Sequence, residues 1–275
     1  MTPIHDRQSV LGLQQAYADK TESFFSGLGQ MSGNPCAVKI RPFGFTRTFI
    51  ARGHDWFNRA VITGNESLKL IDEIISYYET QQQRCHIEWN PGNCYRENTW
   101  NDELGRHLLT RGFRPGGFRC VWRCNPSEVA SAIISNVTTR HFGQNSGEEF
   151  LDIVSKLENK TPRQKDELKA ELLYGQASSE WHHYVGYLGG IPCSTATMFV
   201  KGSIAYFDWA HTLEAFRNRG CHQAMIGRRL TDARDAGCNF VFAVTDMGTQ
   251  SAQNLQAAGF HLAYNYIMLV RDPLP

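Results

Sequence analysis

The second half of the chain alternates short apolar runs with amphipathic segments, which is the pattern of strands alternating with helices. The run VTTRHFG (137–143) predicts a strand. A helix is predicted next over 146–158, because Ser146 and Glu149 have the spacing of a capping box, and another over 164–173. A folded unit of strands and helices is therefore expected from residue 137 onward.

Three strand-like runs follow in the segment WHHYVGYLGGIPCSTATMFVKGSIAYFDWA (181–210). Gly189-Gly190 and Lys201-Gly202 separate these runs. Short glycine-containing turns between strand-like runs predict an antiparallel meander.

The remaining elements follow an amphipathic helix at 221–236. The continuous apolar run NFVFAVT (239–245) is typical of a strand that is covered on both faces. A short helix that ends at Gly259 and the strand LAYNYIMLV (262–270) are predicted to complete the unit.

The first half of the chain repeats the end of this plan. The segments RCHIEWN, NDELGRHLLTRGF and GFRCVWRCNP align with NFVFAVT, TQSAQNLQAAGF and HLAYNYIMLVRDP. Each set reads as a strand, a helix that closes on Gly-Phe, a strand and then a proline. The two Gly-Phe pairs end at Phe113 and Phe260, which are 147 positions apart, about half the chain. We therefore predict two copies of one α/β fold, as domains 1–125 and 126–275.

The segment FRNRGCHQAMIGRRLTDARDAGC (216–238) contains a turn between a strand that ends near Ala210 and a helix that begins near Cys221. Free backbone N–H groups at a helix N-terminus favour anions. Gly220 permits close approach of the backbone, and Arg217 and Arg219 add positive charge. We predict that this turn binds a diphosphate.

The helix behind the turn has two faces. Its apolar positions have helical spacing and are expected to face the sheet, namely Met225, Ile226, Leu230 and Ala233. The charged positions are expected to face water, namely Arg228, Arg229, Arg234 and Asp235. An ordinary surface helix with solvated arginines would give the same pattern, so the helix alone does not decide the function.

The charge balance limits the classes of partner that the protein is expected to bind. The 28 basic and 27 acidic residues give a net charge of +1, which is too small to attract nucleic acid or an anionic membrane. The N-terminal segment MTPIHDRQSVLGLQQAYADK lacks the apolar run of a signal peptide, and no stretch reaches membrane-spanning length. We expect a cytoplasmic protein without nucleic-acid or membrane partners.

Cysteine spacing does not indicate a metal site. Cys85 and His86 with Cys94, or Cys120 with Cys124, could supply zinc ligands, but the second pair of the usual two-pair pattern is missing. We predict no bound metal.

The order of elements around the turn resembles the C-terminal core of the GNAT superfamily of acyl-CoA-dependent N-acyltransferases. In that family an R/Q-x-x-G-x-G/A turn cradles the CoA diphosphate, and here the motif reads Arg217-Asn218-Arg219-Gly220-Cys221-His222. The resemblance covers roughly residues 136–272 and extends more faintly to the first half, as in tandem members whose degenerate first copy precedes a working second copy. It implies two GNAT-like domains, each with a mostly antiparallel mixed sheet, a central parallel strand pair and flanking helices.

The sequence departs from the family pattern at three positions. His222 stands where the family usually has Gly or Ala, which makes the third motif position bulkier. Leu255 stands where many members place a tyrosine that protonates the departing thiolate, and Gly248 stands where an Asn often contacts the cofactor. In the first copy the corresponding turn, Thr63-Gly64-Asn65-Glu66, lacks arginine and carries a carboxylate, so we predict that this copy is structural or shapes the acceptor pocket.

The resemblance implies acetyl-CoA as the donor substrate and a small-molecule amine as the acceptor, with direct attack in a ternary complex. The strands 203–209 and 239–245 would diverge, and the pantetheine would pair with the backbone between them. The residues expected to bind the cofactor are Trp209, Ala210, His211, Thr212, Arg217, Asn218, Arg219, Gly220, Cys221 and His222. Cys221 is interpreted as a packing residue, since it would lie at the diphosphate end, far from the thioester.

Four side chains are candidates for proton transfer. Asp208, His211 and Asp246 lie at or beyond the ends of the two central strands and could accept a proton from the amine. Tyr264 could replace the acid that is missing at Leu255. For each of them the alternative is an ordinary polar residue at a strand end or in the core.

Three alternatives to this function remain open. The chain could be a catalytically silent acyl-CoA sensor or scaffold, an N-acyltransferase for longer acyl-CoAs, or an interaction module that binds no CoA. The turn from Arg217 to Gly220 argues against the last alternative. A monomer or a homodimer is expected, because two copies in one chain can pair as family dimers do.

Overall fold

The computed structural model describes residues 7–53, 58–62, 66–90, 95–96, 99–100, 103–129, 136–142, 147–157 and 160–273. The helices are α1 Arg7–Gly29, α2 Leu68–Thr80, α3 Glu103–Thr110, α4 Glu148–Ser155, α5 Pro162–Ala170, α6 Cys221–Asp235 and α7 Gln250–Ala257. The strands are β1 Lys39–Phe43, β2 Thr46–Ile50, β3 Arg59–Val61, β4 Cys85–Trp89, β5 Tyr95–Arg96, β6 Thr99–Trp100, β7 Arg114–Cys124, β8 Val137–His141, β9 Trp181–Leu188, β10 Ile191–Lys201, β11 Ile204–Thr212, β12 Phe240–Asp246 and β13 His261–Arg271.

The chain divides into two compact units. The first contains Met1–Val121, Thr245–Met247 and Leu262–Pro275, and the second contains Trp122–Val244 and Gly248–His261. The last strand of the chain therefore belongs to the first unit. The predicted sequence domains, 1–125 and 126–275, describe the proposed duplication and stay a prediction.

The first unit contains a mixed sheet in the order β1-β2-β3-β4-β13-β7. β3 and β4 are parallel, whereas β4 pairs with β13 in antiparallel register, with Ile267 opposite Trp89. Helix α2 begins where the Ser67 hydroxyl accepts a hydrogen bond from the N–H of Leu70. Its apolar face has helical spacing and packs into the core, burying Ile71, Ile74, Ile75 and Tyr78.

The second unit contains the order β12-β11-β10-β9-β8. The antiparallel strands β9, β10 and β11 form the predicted meander, with turns at Gly189-Gly190 and at Gly202. The next pair, β11 and β12, is parallel. Together with the flanking helices, these sheets confirm the predicted α/β class with mixed sheets.

Helices cover both faces of this second sheet. The α6 and α7 face contains a core that includes Phe207, Ile226 and Phe260, and the α4 face contains a core that includes Phe150 and Val185. Burial on both faces explains why NFVFAVT reads as one continuous apolar run.

The predicted repeat of helix, Gly-Phe and strand is present in both halves. After α3, Gly112 has φ 83° and the N–H of Phe113 bonds to the carbonyl of Leu108 at 3.1 Å. After α7, Gly259 has φ 87° and the N–H of Phe260 bonds to the carbonyl of Leu255 at 3.0 Å. A positive φ at the residue after the helix favours glycine, so the same backbone ending explains the same residue pair.

The predicted helix starts were only partly right. Helix α4 has Gly147 at its N-cap without a side-chain cap bond, and Ser146, on which the predicted capping box depends, lies outside the described residues. A capping box does occur at α5, between Thr161 and Gln164. Ser and Thr both favour N-caps, and sequence spacing alone did not identify which of them is used.

The expectation that Arg229 faces water was wrong. Its side chain is 2% exposed. The guanidinium donates to the carbonyls of Met225 at 3.1 Å and Thr197 at 3.0 Å, and it lies 4.2 Å from the ring centroid of Phe207. Burial lowers the pKa of Arg229 to about 10, and Tyr184 and Asp208 oppose that change. Backbone carbonyls and an aromatic face thus allow a charged residue to replace an apolar one on the inner face of α6.

Candidate active site

The parallel strands β11 and β12 stop pairing before either strand ends. Their register runs from Ile204 opposite Phe240 to Phe207 opposite Ala243, whereas β11 continues to Thr212. Between β10 and β11 the register shifts, because Ala196 pairs with Ala210 and Met198 pairs with Phe207. Such a shift is the signature of a β-bulge, which bends a strand and re-aims its side chains. The backbone from residue 208 to residue 212 therefore has an edge toward β12 that the recorded ladder does not use.

The turn after β11 leads into helix α6 through two left-handed residues. Asn218 has φ 59°, and Gly220, the N-cap of α6, has φ 82° and ψ 0°. No side chain caps this helix start, and within the described residues the N–H groups of 218–223 have no recorded hydrogen bond. These N–H groups form the kind of concave donor set that binds anions at helix N-termini.

A cavity of about 850 Å³ lies at this turn. Its lining comprises Asn136, Ala210, His211, Thr212, Phe216, Arg217, Asn218, Arg219, Gly220, Cys221, His222, Gln223, Gln250, Ser251 and Asn254. All the residues that the sequence predicted to bind a cofactor are in this lining, with the exception of Trp209. The structure therefore brings together the end of β11 and the motif at the start of α6.

Positive charge is concentrated at the turn. Arg217 and Arg219 are exposed, and neither is in an ion pair within the described part of the chain. The Nε of Arg217 donates to the carbonyl of Thr212 at 3.4 Å, and the guanidinium of Arg219 lies 5.9 Å from the ring centroid of Phe216. These two cations and the free N–H groups make the cavity attractive to a phosphate-bearing molecule.

Polar side chains from α6 and α7 meet at another part of the lining. The amide of Asn254 lies 2.8 Å from Nδ1 of His222, and its Oδ1 accepts from Gln250 at 3.2 Å and from Gln223 at 3.4 Å. Burial, followed by the positive charge of Arg229, lowers the pKa of His222 to about 4. His222 is thus a neutral polar side chain at neutral pH, which is compatible with an anion beside it.

Sequence reasoning missed the contribution of α7 to this cavity. Gln250, Ser251 and Asn254 line the cavity, whereas the sequence-based expectations concerned only Leu255 and Gly248 in this segment. Leu255 is 3% exposed and belongs to the core beneath α6. Successive helical residues point about 100° apart, so the polar spacing 250, 251, 254 would have indicated the cavity face of α7.

The candidates for proton transfer lie in different surroundings. His211 lines the cavity and stacks on Trp209, with ring centroids 6.0 Å apart and an interplanar angle of 19°. The Nε1 of Trp209 donates to Thr195 at 3.1 Å, which holds this indole in place. Asp208 is half-buried, is not in the cavity lining, and acts electrostatically on Arg229.

The other two candidates belong to the first compact unit. Asp246 is exposed and forms an ion pair with Arg119 at 2.5 Å. Tyr264 is half-buried, and burial, helped by Glu88 and Tyr17, raises its pKa well above the ordinary value. Neither residue is in the lining of the cavity at α6.

The corresponding turn of the first copy is described only from Glu66 onward. Residues Thr63, Gly64 and Asn65 of that predicted turn lie outside the described residues. The carboxylate of Glu66 accepts a hydrogen bond from the Thr46 hydroxyl at 2.7 Å. An acidic group in this position opposes the binding of a diphosphate.

The described residues contain neither a metal-binding cluster nor a membrane-spanning helix. No group of three or more His, Cys, Asp or Glu side chains in the described part of the chain could hold a metal ion. Cys94, one of the zinc ligands considered, lies outside that part. Among the helices that the structure describes, none is both long enough and apolar enough to cross a membrane.

Comparison with known proteins identifies the fold. No family model and no curated protein matches the sequence. A tandem GNAT protein from the clavulanic acid biosynthesis pathway matches in structure with a TM-score of 0.63 at 10% identity, over 94% of this chain and 96% of that one. A GCN5-related N-acetyltransferase from Kribbella flavida matches with a TM-score of 0.62 at 12% identity, over 92% and 96% of the two chains.

A third structure agrees with these two. The GCN5-related N-acetyltransferase from Sphaerobacter thermophilus has a TM-score of 0.59 at 12% identity, over 84% of this chain and 81% of that one. Likeness at such identities establishes a shared fold. The chain therefore has the GNAT fold, in its tandem form.

Proposed function

We propose that the protein is an acyl-CoA-dependent N-acyltransferase that moves an acetyl group from acetyl-CoA to the amine of a small molecule. The observation that carries this proposal is the cavity where the end of β11, beyond its register with β12, meets the left-handed turn at Gly220. Its volume of about 850 Å³ is within the range of small-molecule and cofactor sites, roughly 300–1,000 Å³.

The turn has the chemistry that the donor's diphosphate requires. The backbone N–H groups of 218–223 donate to phosphate oxygens, and Arg217 and Arg219 neutralise their charge. Because Gly220 carries no side chain, phosphate oxygens can approach its backbone closely. The edge of β11 from Trp209 to Thr212, which lies beyond the end of the β11–β12 register, can accept and donate hydrogen bonds along an extended, amide-containing pantetheine.

The reaction needs a proton acceptor and precise positioning. The amine must lose a proton before its lone pair attacks the thioester carbonyl, and His211 is the titratable candidate that lines the cavity. A C–N bond forms as the carbonyl becomes tetrahedral, and the C–S bond then breaks so that the thiolate leaves and takes a proton. No covalent acyl-enzyme is required, so most of the rate comes from holding the two substrates together.

The proton for the thiolate has no assigned donor in the cavity lining. Tyr264 stays the sequence-based candidate, and its raised pKa keeps the phenol protonated at neutral pH. The burial of Leu255 in the core favours a second possibility, in which the protein binds acyl-CoA without transferring the acyl group and serves as a sensor or scaffold. A donor with a longer acyl chain is the remaining variant of the enzyme hypothesis.

Thermal stability with and without acetyl-CoA tests the proposal. A ligand at 100 times its Kd stabilises the native state by about 2.7 kcal/mol, enough to raise Tm by several degrees. Gly220→Glu should abolish that increase, because it adds bulk and negative charge to the turn. Gly220→Gln is the matched control, since Gln adds nearly the same bulk as Glu without the negative charge and should reduce the increase less than Glu does.

The outcomes separate the alternatives. An increase in Tm with acetyl-CoA that is lost in a folded Gly220→Glu variant supports the cofactor site, and thiol release with a panel of small amines then tests transfer. Binding without thiol release from any amine, and from any longer acyl-CoA, would favour the sensor. No change in Tm with acetyl-CoA or with longer acyl-CoAs would contradict the proposed site.

A further inference from the structure

Two buried thiols are in contact beneath the turn at α6. The Sγ atoms of Cys193, on β10, and Cys221, the first residue of α6, lie 3.7 Å apart. The thiol of Cys193 donates to the carbonyl of Gly186 at 3.4 Å, and that of Cys221 donates to the carbonyl of Phe216 at 3.5 Å. These bonds orient both sulfur atoms, and no other pair of described cysteines has a recorded contact.

The two thiols differ in their access to small molecules. Cys221 is in the cavity lining, although only 2% of the residue is exposed, whereas Cys193 is 0% exposed and is not in that lining. Burial and the neighbouring Cys221 raise the pKa of Cys193 above its ordinary value, so Cys193 is a thiol at neutral pH. Val137 and Ala224 pack around the pair. A reagent that enters the cavity therefore meets Cys221 first, with Cys193 already in place as the second thiol.

We propose that Cys193 and Cys221 form a redox-modification site, which hydrogen peroxide in the cavity converts to a disulfide. A disulfide has an S–S distance of about 2.05 Å, so the two sulfur atoms must approach by about 1.7 Å. The disulfide itself does not depend on the proposed function. Its effect on acetyl-CoA binding does rest on that function.

The reaction balances without any other reagent. The sulfur of Cys221 takes one oxygen atom from the peroxide, water is released, and a sulfenic acid results. The sulfur of Cys193 then attacks the sulfur of Cys221, and the hydroxyl leaves as water with the proton of Cys193. In total, two thiols and one peroxide give one disulfide and two water molecules, so the two cysteines lose two electrons and two protons.

Closure of the disulfide changes the predicted anion site. Cys221 is the first residue of α6, and its N–H is one of the free donors that flank the cavity. Movement of Cys221 toward β10 displaces the backbone N–H groups between Arg219 and His222. Because the loss of one hydrogen bond to a charged group weakens binding by about tenfold or more, we expect the oxidised protein to bind acetyl-CoA at least about tenfold more weakly.

Mass spectrometry of the full-length protein tests the disulfide directly. After treatment with hydrogen peroxide in slight excess, the parent should lose the mass of two hydrogen atoms and yield a linked Cys193–Cys221 peptide. Dithiothreitol should reverse both changes. In Cys193→Ser the linked peptide should be absent, and dimedone should trap sulfenic acid at Cys221; Cys193→Ala serves the same purpose if the serine variant does not fold.

Cys238→Ser is the matched control, because Cys238 is a buried cysteine of the same compact unit. It should form the linked peptide as readily as the parent. Absence of the linked peptide in folded parent protein, or prior oxidation of another cysteine, would overturn the proposal. If the peptide forms and acetyl-CoA binds both redox states equally, the claimed effect on the turn is wrong; if acetyl-CoA binds neither state, the proposed function fails while the redox site stands.

Discussion

The side-chain amide of Asn254 donates a hydrogen bond to Nδ1 of His222 across 2.8 Å. An Asn amide nitrogen can only donate, so Nδ1 of the histidine accepts and the ring proton is on Nε2. The low pKa of His222, about 4, agrees with this neutral state. His222, which stands where the family usually has Gly or Ala, is thus held by α7 as an uncharged group next to the turn.

The stability of the protein should fall as the pH decreases from about 6.5 to about 4. In the unfolded chain His222 takes up a proton near its ordinary pKa of 6.5, whereas in the folded protein it stays neutral until about 4. The unfolded state therefore binds more protons in this range, and acid favours unfolding by at most about 3 kcal/mol through this residue. Urea unfolding at several pH values measures the effect.

A substitution isolates the contribution of this residue. His141 and His182, whose ring nitrogens are 3.0 Å apart, also have lowered pKa values and give a background of the same sign. His222→Gln should flatten the pH dependence relative to the parent, because Gln cannot titrate and can still bond to Asn254. Identical pH profiles for the parent and His222→Gln would show that the assignment is incorrect.

Two glycines at the ends of α6 should respond differently to substitution. Gly220, before the helix, has φ 82°, and Gly237, after it, has φ 75°. Alanine at either position adopts a left-handed backbone at a cost of roughly 1–2 kcal/mol. A Cβ at Gly237 would meet no atom within 4 Å, so that variant reports the backbone cost alone.

The two variants then separate stability from binding. Both should lower the urea midpoint, but only Gly220→Ala should also weaken acetyl-CoA binding, because only Gly220 lines the cavity. Gly12→Ala, inside α1 with no atom within 4 Å of the added Cβ, should not be destabilised. Loss of acetyl-CoA binding in Gly237→Ala would mean that α6 as a whole, and not the turn, controls the site.

Local sequence patterns predicted the helices and strands, but they did not predict which strands pair over long distances in the chain. The Gly-Phe endings after α3 and α7 were readable because a positive φ constrains one residue at a time. The pairing of β13 with β4 joins residues about 180 positions apart, and period-two alternation carries no information about which strand is the neighbour. The motif at Gly220 was likewise local. The polar spacing of Gln250, Ser251 and Asn254 marks one face of α7, but the sequence does not show that this face meets α6.

Arg229 shows the same limit for a single side chain. Helical spacing gave the apolar face of α6 correctly, yet an arginine on that face is tolerated only where acceptors surround it, and the carbonyl of Thr197 comes from a distant strand. Charge alone predicted exposure, which is the usual result for arginine.

Replacing Arg229 should destabilise the second compact unit strongly. Arg229→Met removes the donor to Thr197 and the cation above Phe207, leaving a buried carbonyl without this hydrogen bond. We expect a loss of about 2–4 kcal/mol in the free energy of unfolding, measured with urea. Arg228→Met is the matched control; its half-exposed ion pair with Asp232 contributes about 1 kcal/mol or less. Equal losses in both variants would contradict the structural role assigned to Arg229.

His211 should determine the acid limb of the pH–rate profile. If this imidazole accepts the proton of the amine, His211→Asn should lower kcat by about 10²–10⁴ while the KM for acetyl-CoA changes little, since the group acts in the chemical step. The acid limb of kcat, which reports protonation of the base, should disappear in the variant. Steady-state kinetics with the best amine from the screen supply both measurements.

Asp208 provides the decisive comparison for this assignment. It precedes His211 by three residues on β11 but is absent from the cavity lining. Its negative charge instead acts on the buried guanidinium of Arg229. Asp208→Asn should therefore keep the acid limb of the pH–rate profile. It should lower the free energy of unfolding and change kcat little. If Asp208→Asn removes the acid limb and His211→Asn keeps it, the proton acceptor is Asp208, and water must connect it to the amine because its carboxylate does not line the cavity.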